Sequence, residues 1–137
     1  MNRDNPGLSE ADFAELLRFR DGLRRFMRWS EDQARAAGLT PAQHQLLLAI
    51  RGHGGVPTIG DVAAHLLLKH HSTVELVDRA ERAGLIRRHT DPDDHRIVRL
   101  LLSAEGERRL ADLSAAHVAE LARLHDALRL PLLEANL

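Results

Sequence analysis

The sequence predicts a mainly α-helical domain that carries one small β-hairpin. Apolar residues recur at helical spacing in five stretches of the 137-residue chain, whereas residues 85–102 change to strand-like alternation around a polar turn. The length fits a single domain over residues 1–137, and 44% hydrophobic with 28% charged residues is the composition of a globular protein.

Composition excludes several classes of protein. The chain has no cysteine, which excludes disulfides, thiolate metal sites and cysteine nucleophiles. No apolar run approaches about 18 residues and the N-terminus has no apolar stretch, so we expect a cytoplasmic protein without membrane contact. Neither a nucleophile elbow nor a phosphate-binding loop occurs, so we expect no catalytic residue, no cofactor and no enzymatic activity.

Two helices are predicted in the first part of the chain. The first begins at an N-cap, Ser9, with Asp12 three residues later, and runs to Gly38. The second begins in "TPAQ", where Thr40 is the N-cap, proline takes the first helical position and Gln43 completes a capping box. A glycine pair at positions 54–55 ends it.

The next two helices are short and closely spaced. Thr58 and Asp61 repeat the capping pattern and open "IGDVAAHLL", which breaks near Leu68 and Lys69. The following helix, "HHSTVELVDRAERAG", ends at Gly84. Its two faces are predicted to differ, with Thr73, Leu76, Val77 and Ala80 on the apolar side and His71, Glu75, Asp78 and Arg82 on the polar side.

A hairpin and a long helix complete the chain. "LIRRHT" and "RIVRLLL" flank the turn "DPDD" and read as two strands. Ser103 then caps a helix that we expect to end at Pro131. This helix is predicted to present a narrow apolar stripe suited to a partner helix, formed by Leu110, Leu113, His117, Leu121, Leu124 and Leu128.

A short helix, a tight break, a second helix and a hairpin describe a winged helix-turn-helix over residues 40–102, in which the second helix enters a DNA major groove. The segments "GLTPAQHQLLLAI", "TIGDVAAHL", "HSTVELVDRAERAGLIRR" and "DPDDHRIVRLLLSAEG" resemble, in order, those of the MarR (multiple-antibiotic-resistance regulator) family. The resemblance implies a homodimer built from flanking dimerisation helices, residues 9–37 and 103–130. It also implies a repressor that binds a pseudo-palindromic operator in double-stranded DNA and is released by a small, often aromatic effector.

The expected DNA-binding residues lie at the start of the second helix of the pair, on its polar face and in the wing: Lys69, His70, His71, Ser72, Glu75, Arg79, Arg87, Arg88, Asp94 and Arg96. By resemblance, Asp94 orients Arg96, which enters a minor groove; the other interpretation is an exposed ion pair worth under about 1 kcal/mol. We expect Arg87 or Arg88 to meet phosphate, and the sequence does not decide which. Glu75 would repel phosphate but could accept from cytosine N4.

Metal binding is a separate question, because the wing segment "HTDPDDHR" is rich in potential ligands. Its neighbours Asp94 and His95 would point to opposite faces of a strand, so we expect no metal there. A metal-responsive regulator using His44, His117 and His125 is an alternative, although the last two are eight residues apart and do not form a chelating pair. Phe26, Trp29 and His44 either line an effector pocket or belong to an ordinary core.

The charge of residues 58–102 leaves a second function possible. Residues 58–102 contain as many cations (Lys69, Arg79, Arg82, Arg87, Arg88, Arg96, Arg99) as acids (Asp61, Glu75, Asp78, Glu81, Asp91, Asp93, Asp94). A neutral lobe is unusual for a DNA-binding module, so a winged helix that binds another protein instead of DNA remains a second hypothesis.

Overall fold

A computed structural model describes residues 7–136, with side chains described for residues 7–134. The elements follow in the order α1 (Glu10–Ala36), α2 (Pro41–Gly52), α3 (Ile59–Leu66), α4 (His70–Arg82), β1 (Ile86–Thr90), β2 (Val98–Leu102), α5 (Ala104–Leu124) and α6 (Pro131–Asn136). The chain divides into two units, one formed by residues 31–116 and the other by the described residues of 1–30 and 117–137. The predicted mainly α fold with one hairpin is confirmed.

Local capping explains where the helices of residues 31–116 begin. Thr40 accepts a hydrogen bond from the backbone N–H of Gln43 at 3.1 Å and its own N–H donates to the Gln43 side chain at 3.0 Å. Thr58 and Asp61 form the same reciprocal pair at the start of α3. Each pair satisfies two backbone N–H groups that would otherwise lack a partner, so the predicted starts are confirmed.

The core of this unit lies between α2, α3, α4 and the hairpin. α4 contributes the predicted apolar face, and all four of its members are buried. The other core side chains come from every neighbouring element and include Leu46, Leu47, Ile50, Val62, Leu85, Ile86, Leu100 and Leu102. Because β1 and β2 pair antiparallel with Ile86 opposite Leu102, the base of the hairpin is fixed against this core.

The hairpin is shorter than predicted at one end. β2 begins at Val98, so Arg96 and Ile97 belong to the turn and not to the strand. The turn closes through the N–H of Asp91, which donates to the carbonyl of Ile97 at 2.9 Å. Beyond the hairpin, Leu100 donates to the carbonyl of Pro57 at 2.9 Å, which ties β2 to the segment that enters α3.

The second unit contains the first part of α1, the last part of α5, and α6. Arg18 donates to the carbonyls of Asp126 and Ala127 at 3.2 and 3.1 Å, and Glu15 accepts the backbone N–H of Leu132 at 2.8 Å. These contacts hold the turn that follows α5. The prediction that one helix runs to Pro131 is wrong: α5 ends at Leu124, and Pro131 is the first residue of α6.

The apolar stripe predicted for the long helix is therefore divided. Leu110 and Leu113 are buried in the core of residues 31–116, whereas Leu121 is exposed and Leu128 lies beyond the end of α5. Among the described residues, no helix is both long and apolar enough to cross a membrane.

Candidate nucleic-acid interface

The start of α4 forms the first part of the candidate interface. Leu67 ends α3 in the left-handed conformation with φ of 55°, and Lys69 precedes α4 as an N-cap without a side-chain hydrogen bond. Thr73 is buried and donates to the carbonyl of Lys69 at 2.9 Å, which fixes the first turn from the inside. The first backbone N–H groups of α4 therefore have no side-chain cap and suit a phosphate.

The side chains around this helix start are open to solvent. Lys69, His70 and His71 are exposed and Ser72 is half-buried. A groove of about 440 Å³ lies between the starts of α3 and α4 and the wing, and both His70 and Arg96 line it. The structure therefore brings a predicted residue of the helix and a predicted residue of the wing to the same surface.

Farther along α4, the exposed face carries residues at one-turn spacing. His71, Glu75 and Arg79 are all exposed and follow each other at intervals of four residues, opposite the buried face. Among the described residues, neither Glu75 nor Arg79 forms an ion pair, and the pairing between them that their spacing would allow does not occur. Both side chains are therefore available to a ligand that contacts this face of α4.

The wing tip carries an arginine that is already oriented. Arg96 donates from Nε and Nη2 to the two carboxylate oxygens of Asp94, each at 3.0 Å, while 90% of its side chain is exposed. The hydrogen bond from Arg96 lowers the pKa of the Asp94 carboxyl group below its ordinary value, so the carboxylate stays charged. The predicted contact between these two side chains is present, although both lie in the turn and not on a strand.

A second carboxylate shapes the turn below this tip. Asp91 accepts the backbone N–H groups of Asp93 and Asp94 at 2.8 and 3.0 Å through one oxygen. Its other oxygen accepts from Arg99 Nε at 2.6 Å, and Arg99 also donates to the carbonyl of Val56 at 2.8 Å. The sequence identified Asp91 as a turn residue, but not Arg99 as its partner eight positions later.

The two arginines at the start of the wing have different environments. Arg88 donates to Asp78 and, at 2.6 Å, to Glu81, both on α4, and the hydrogen bond that Arg88 donates to Asp78 raises the pKa of the guanidinium. Arg87 is exposed, and the structure gives it no ion pair among the described residues. Of the two candidates, Arg87 is the one whose charge is not already neutralised by the protein.

These ion pairs determine which charged groups of residues 58–102 remain unpaired. Asp61 is used in a helix cap, and Asp78, Glu81, Asp91 and Asp94 are each paired with an arginine. The groups of residues 58–102 that form no ion pair within the described structure are four cations (Lys69, Arg79, Arg82 and Arg87) and two acids (Glu75 and Asp93). The unpaired cations therefore outnumber the unpaired acids, although the lobe as a whole stays neutral because Asp78 and Glu81 share Arg88. These cations are the groups that can meet a polyanionic ligand.

The comparisons with known proteins agree with this geometry. A family model described as MarR family matches residues 37–97. A crystal structure of a MarR family transcription regulator superposes with a TM-score of 0.73 at 25% identity, over 90% of this chain and 82% of the other.

The predicted resemblance to the MarR family is confirmed by the family model for residues 37–97 and by the solved regulator for the fold.

Two further proteins are similar to this chain. The HTH-type transcriptional repressor MdtR of Bacillus subtilis is 30% identical over 86 residues, which are 63% of this chain and 55% of MdtR. The chain thus spans about half the length of that curated relative. A mutant of Staphylococcus aureus MepR, solved with a bound oligodeoxyribonucleotide, superposes with a TM-score of 0.67 at 20% identity over 85% of this chain and 86% of MepR.

The residues considered for an effector pocket fall in different units. Phe26 and Trp29 stack in the unit that contains the first part of α1, with ring centroids 6.0 Å apart. His117, which was not predicted for this role, lies edge-on 4.8 Å from Trp29 and 2.6 Å from the hydroxyl of Ser30 through Nε2. His44 is buried in α2, within the other unit.

No metal centre is evident in the part of the chain that the structure describes. No group of three or more histidine and acidic side chains there is arranged to hold a metal ion. The closest histidine pair is His53 and His65, whose ring nitrogens lie 2.9 Å apart and form a hydrogen bond, with Asp61 3.5 Å from the other ring nitrogen of His53. This pair connects the end of α2 to α3.

Proposed function

We propose that this protein is a cytoplasmic, DNA-binding transcriptional repressor that acts as a homodimer on a pseudo-palindromic operator. The observation that carries the proposal is the shared surface formed by the open start of α4 and the wing tip, where the exposed Arg96 is paired with Asp94. α4 has the dimensions to enter a major groove, and Arg96 then reaches the neighbouring minor groove. The similarity to MarR-family regulators supports the same role.

The ion pairs within the lobe favour DNA over a protein partner. The accessible cations Lys69, Arg79 and Arg87 lie at the start of α4, on its exposed face and on β1. Contacts between such side chains and phosphates release counterions and make affinity fall with salt. The protein-interaction hypothesis rests on the neutral charge of the lobe, whereas the unpaired cations supply the contacts that DNA needs and support the first hypothesis.

Binding to the promoter beside the protein's own gene tests the proposal. Fluorescence anisotropy over a salt series should show specific binding by the wild-type protein. Arg96→Ala should weaken it at least about tenfold, because two wing arginines act on one operator and each contributes roughly 1 kcal/mol. Arg108→Ala, an exposed arginine on α5, is the control and should bind as wild type. Absence of specific binding by the wild type would end the transcription-factor proposal.

Dimerisation is supported by exposed apolar side chains of the helical unit. α1 exposes Phe13 and Leu17, at 56% and 60%, and the unit also exposes Val118 and Leu121. Such a surface is characteristic of an interface. Leu121→Glu should yield monomers in sedimentation velocity and Arg123→Glu, an exposed neighbour on the same helix, should leave the dimer intact. A dimeric Leu121→Glu protein would refute the placement of the interface.

A small aromatic effector is proposed to act at the Phe26–Trp29 cluster, and Trp29 is the only tryptophan of the chain. Its emission therefore reports on the cluster without interference. Phenolic acids that release DNA should change this emission at the same concentrations. Release of DNA with unchanged Trp29 emission would place the effector elsewhere.

A further inference from the structure

Glu75 occupies an unusual position in the candidate interface. It lies on the exposed face of α4, one turn after His71 and one turn before Arg79. If α4 enters the major groove, this face meets the base edges, where a carboxylate is also drawn close to phosphates. An acid without compensation is unfavourable there unless a specific donor meets it.

The other acids of α4 are paired with a cation of the protein itself. Asp78 and Glu81 both accept from Arg88, which reaches them from β1. Glu75 receives no comparable cation from the described residues, since Arg79 does not pair with it and Arg88 is occupied. Of the three carboxylates on α4, Glu75 is therefore the one that is left for a ligand.

We propose that Glu75 is a specificity-determining residue that accepts a hydrogen bond from the exocyclic N4 amino group of a cytosine in each half of the operator. The inference rests on the proposed function. In the major groove, cytosine presents an amino donor, whereas guanine and thymine present acceptors and adenine presents its amino group beside the N7 acceptor. A carboxylate has acceptors alone and is therefore best matched by cytosine.

Glu75 should also lower the affinity of the lobe for DNA that lacks the cytosine. Glu75 opposes the cations around it when the protein lies on DNA that lacks the cytosine, so the carboxylate weakens non-specific binding as well as rewarding the correct base. A neutral side chain at this position should therefore bind random DNA more tightly and discriminate less. Asp93 offers a comparison, because it is the other acid of the lobe without an ion pair but lies in the wing turn.

Selection of binding sites from a random DNA library tests this inference with the full-length dimer. The wild type should select a cytosine at one position of each half-site. Glu75→Gln should change that preference to adenine, because glutamine pairs with adenine N6 and N7. Glu75→Ala should reduce discrimination at that position by at least about fivefold per half-site and raise affinity for random DNA. Asp93→Asn should raise affinity for random DNA without changing any base preference.

The outcomes distinguish a failure of the proposed function from a failure of the role of Glu75. If the wild type selects no sequence, the proposed function fails. If it selects an operator but Glu75→Gln and Glu75→Ala keep the same preference at every position, the role of Glu75 is refuted and the proposed function stands. Circular dichroism melts of each variant establish that altered selection does not come from unfolding, and Glu75 is exposed, where such substitutions are well tolerated.

Discussion

Gly106, in the first turn of α5, provides a sharp test of how the lobe is packed. A Cβ atom at this position would lie 2.1 Å from the carbonyl oxygen of Leu85 and 3.1 Å from its carbonyl carbon. Ordinary contacts are near 3.5 Å, so Gly106→Ala requires the two backbones to separate by about 1.4 Å. Rotation of a side chain cannot relieve this clash, because the atoms belong to the backbone.

The separation would also disturb a group of hydrogen bonds. The same carbonyl of Leu85 accepts the N–H of Ser103 at 3.0 Å, and the Ser103 hydroxyl accepts the N–H of Gly106 at 3.0 Å. Overpacking of this kind costs about 1–3 kcal/mol, and alanine recovers about 1 kcal/mol of helix propensity over glycine. We take the upper end because backbone must move, and expect Gly106→Ala to lower the free energy of unfolding by about 2 kcal/mol.

The assay is thermal unfolding followed by circular dichroism, supported by urea titration. A loss of about 2 kcal/mol should lower Tm by roughly 6–10 °C in a domain of this size. Gly52→Ala is the matched control, because a Cβ at this helical position meets no atom within 4 Å, and it should keep or raise Tm. If Gly106→Ala melted at or above the wild-type temperature, the close approach of α5 to Leu85 would be incorrect.

Three further predictions follow from other contacts. Thr40→Ala should lower the free energy of unfolding by about 1 kcal/mol through loss of the α2 cap, and Thr40→Ser should restore most of it in urea titrations. The hydrogen bond from Arg99 lowers the pKa of Asp91 below its ordinary value of 3.8. The stabilisation by this carboxylate is therefore complete above pH 3.8 and is lost as the pH falls through the lower pKa of the folded state. Urea titrations of Asp91→Asn should show a weaker pH dependence than those of the wild type below about pH 4. Arg88→Ala should speed amide hydrogen exchange in β1, and unchanged exchange would contradict its role as a connection to α4.

The sequence was sufficient wherever the cause of a structure is local. The helix starts at Thr40 and Thr58 were predicted correctly because each cap is made by residues three positions apart. The contact between Asp94 and Arg96 was implied by the family resemblance, and it is also local, since both residues belong to one turn. Such signals need no knowledge of the rest of the fold.

The errors and omissions have physical reasons as well. Pro131 was taken as the end of a helix, but proline is equally suited to the first turn of a helix, and the leucine spacing continued through the turn after Leu124. The partners of Arg88 lie seven and ten residues earlier, on a different element, so they become neighbours only when the hairpin folds back on α4. Spacing along the chain could not reveal that contact, or show which arginine of the pair is left exposed.

The connection made by Arg88 has a consequence for the thermodynamics of DNA recognition. A wing that is attached to α4 by two carboxylates loses much of its independent motion when the protein folds, before any DNA is present. Binding then requires less loss of conformational entropy at the wing, so more of the interaction energy remains as affinity. With Arg88→Ala, calorimetry should accordingly show a larger entropic penalty on binding, even though Arg88 itself need not touch the DNA.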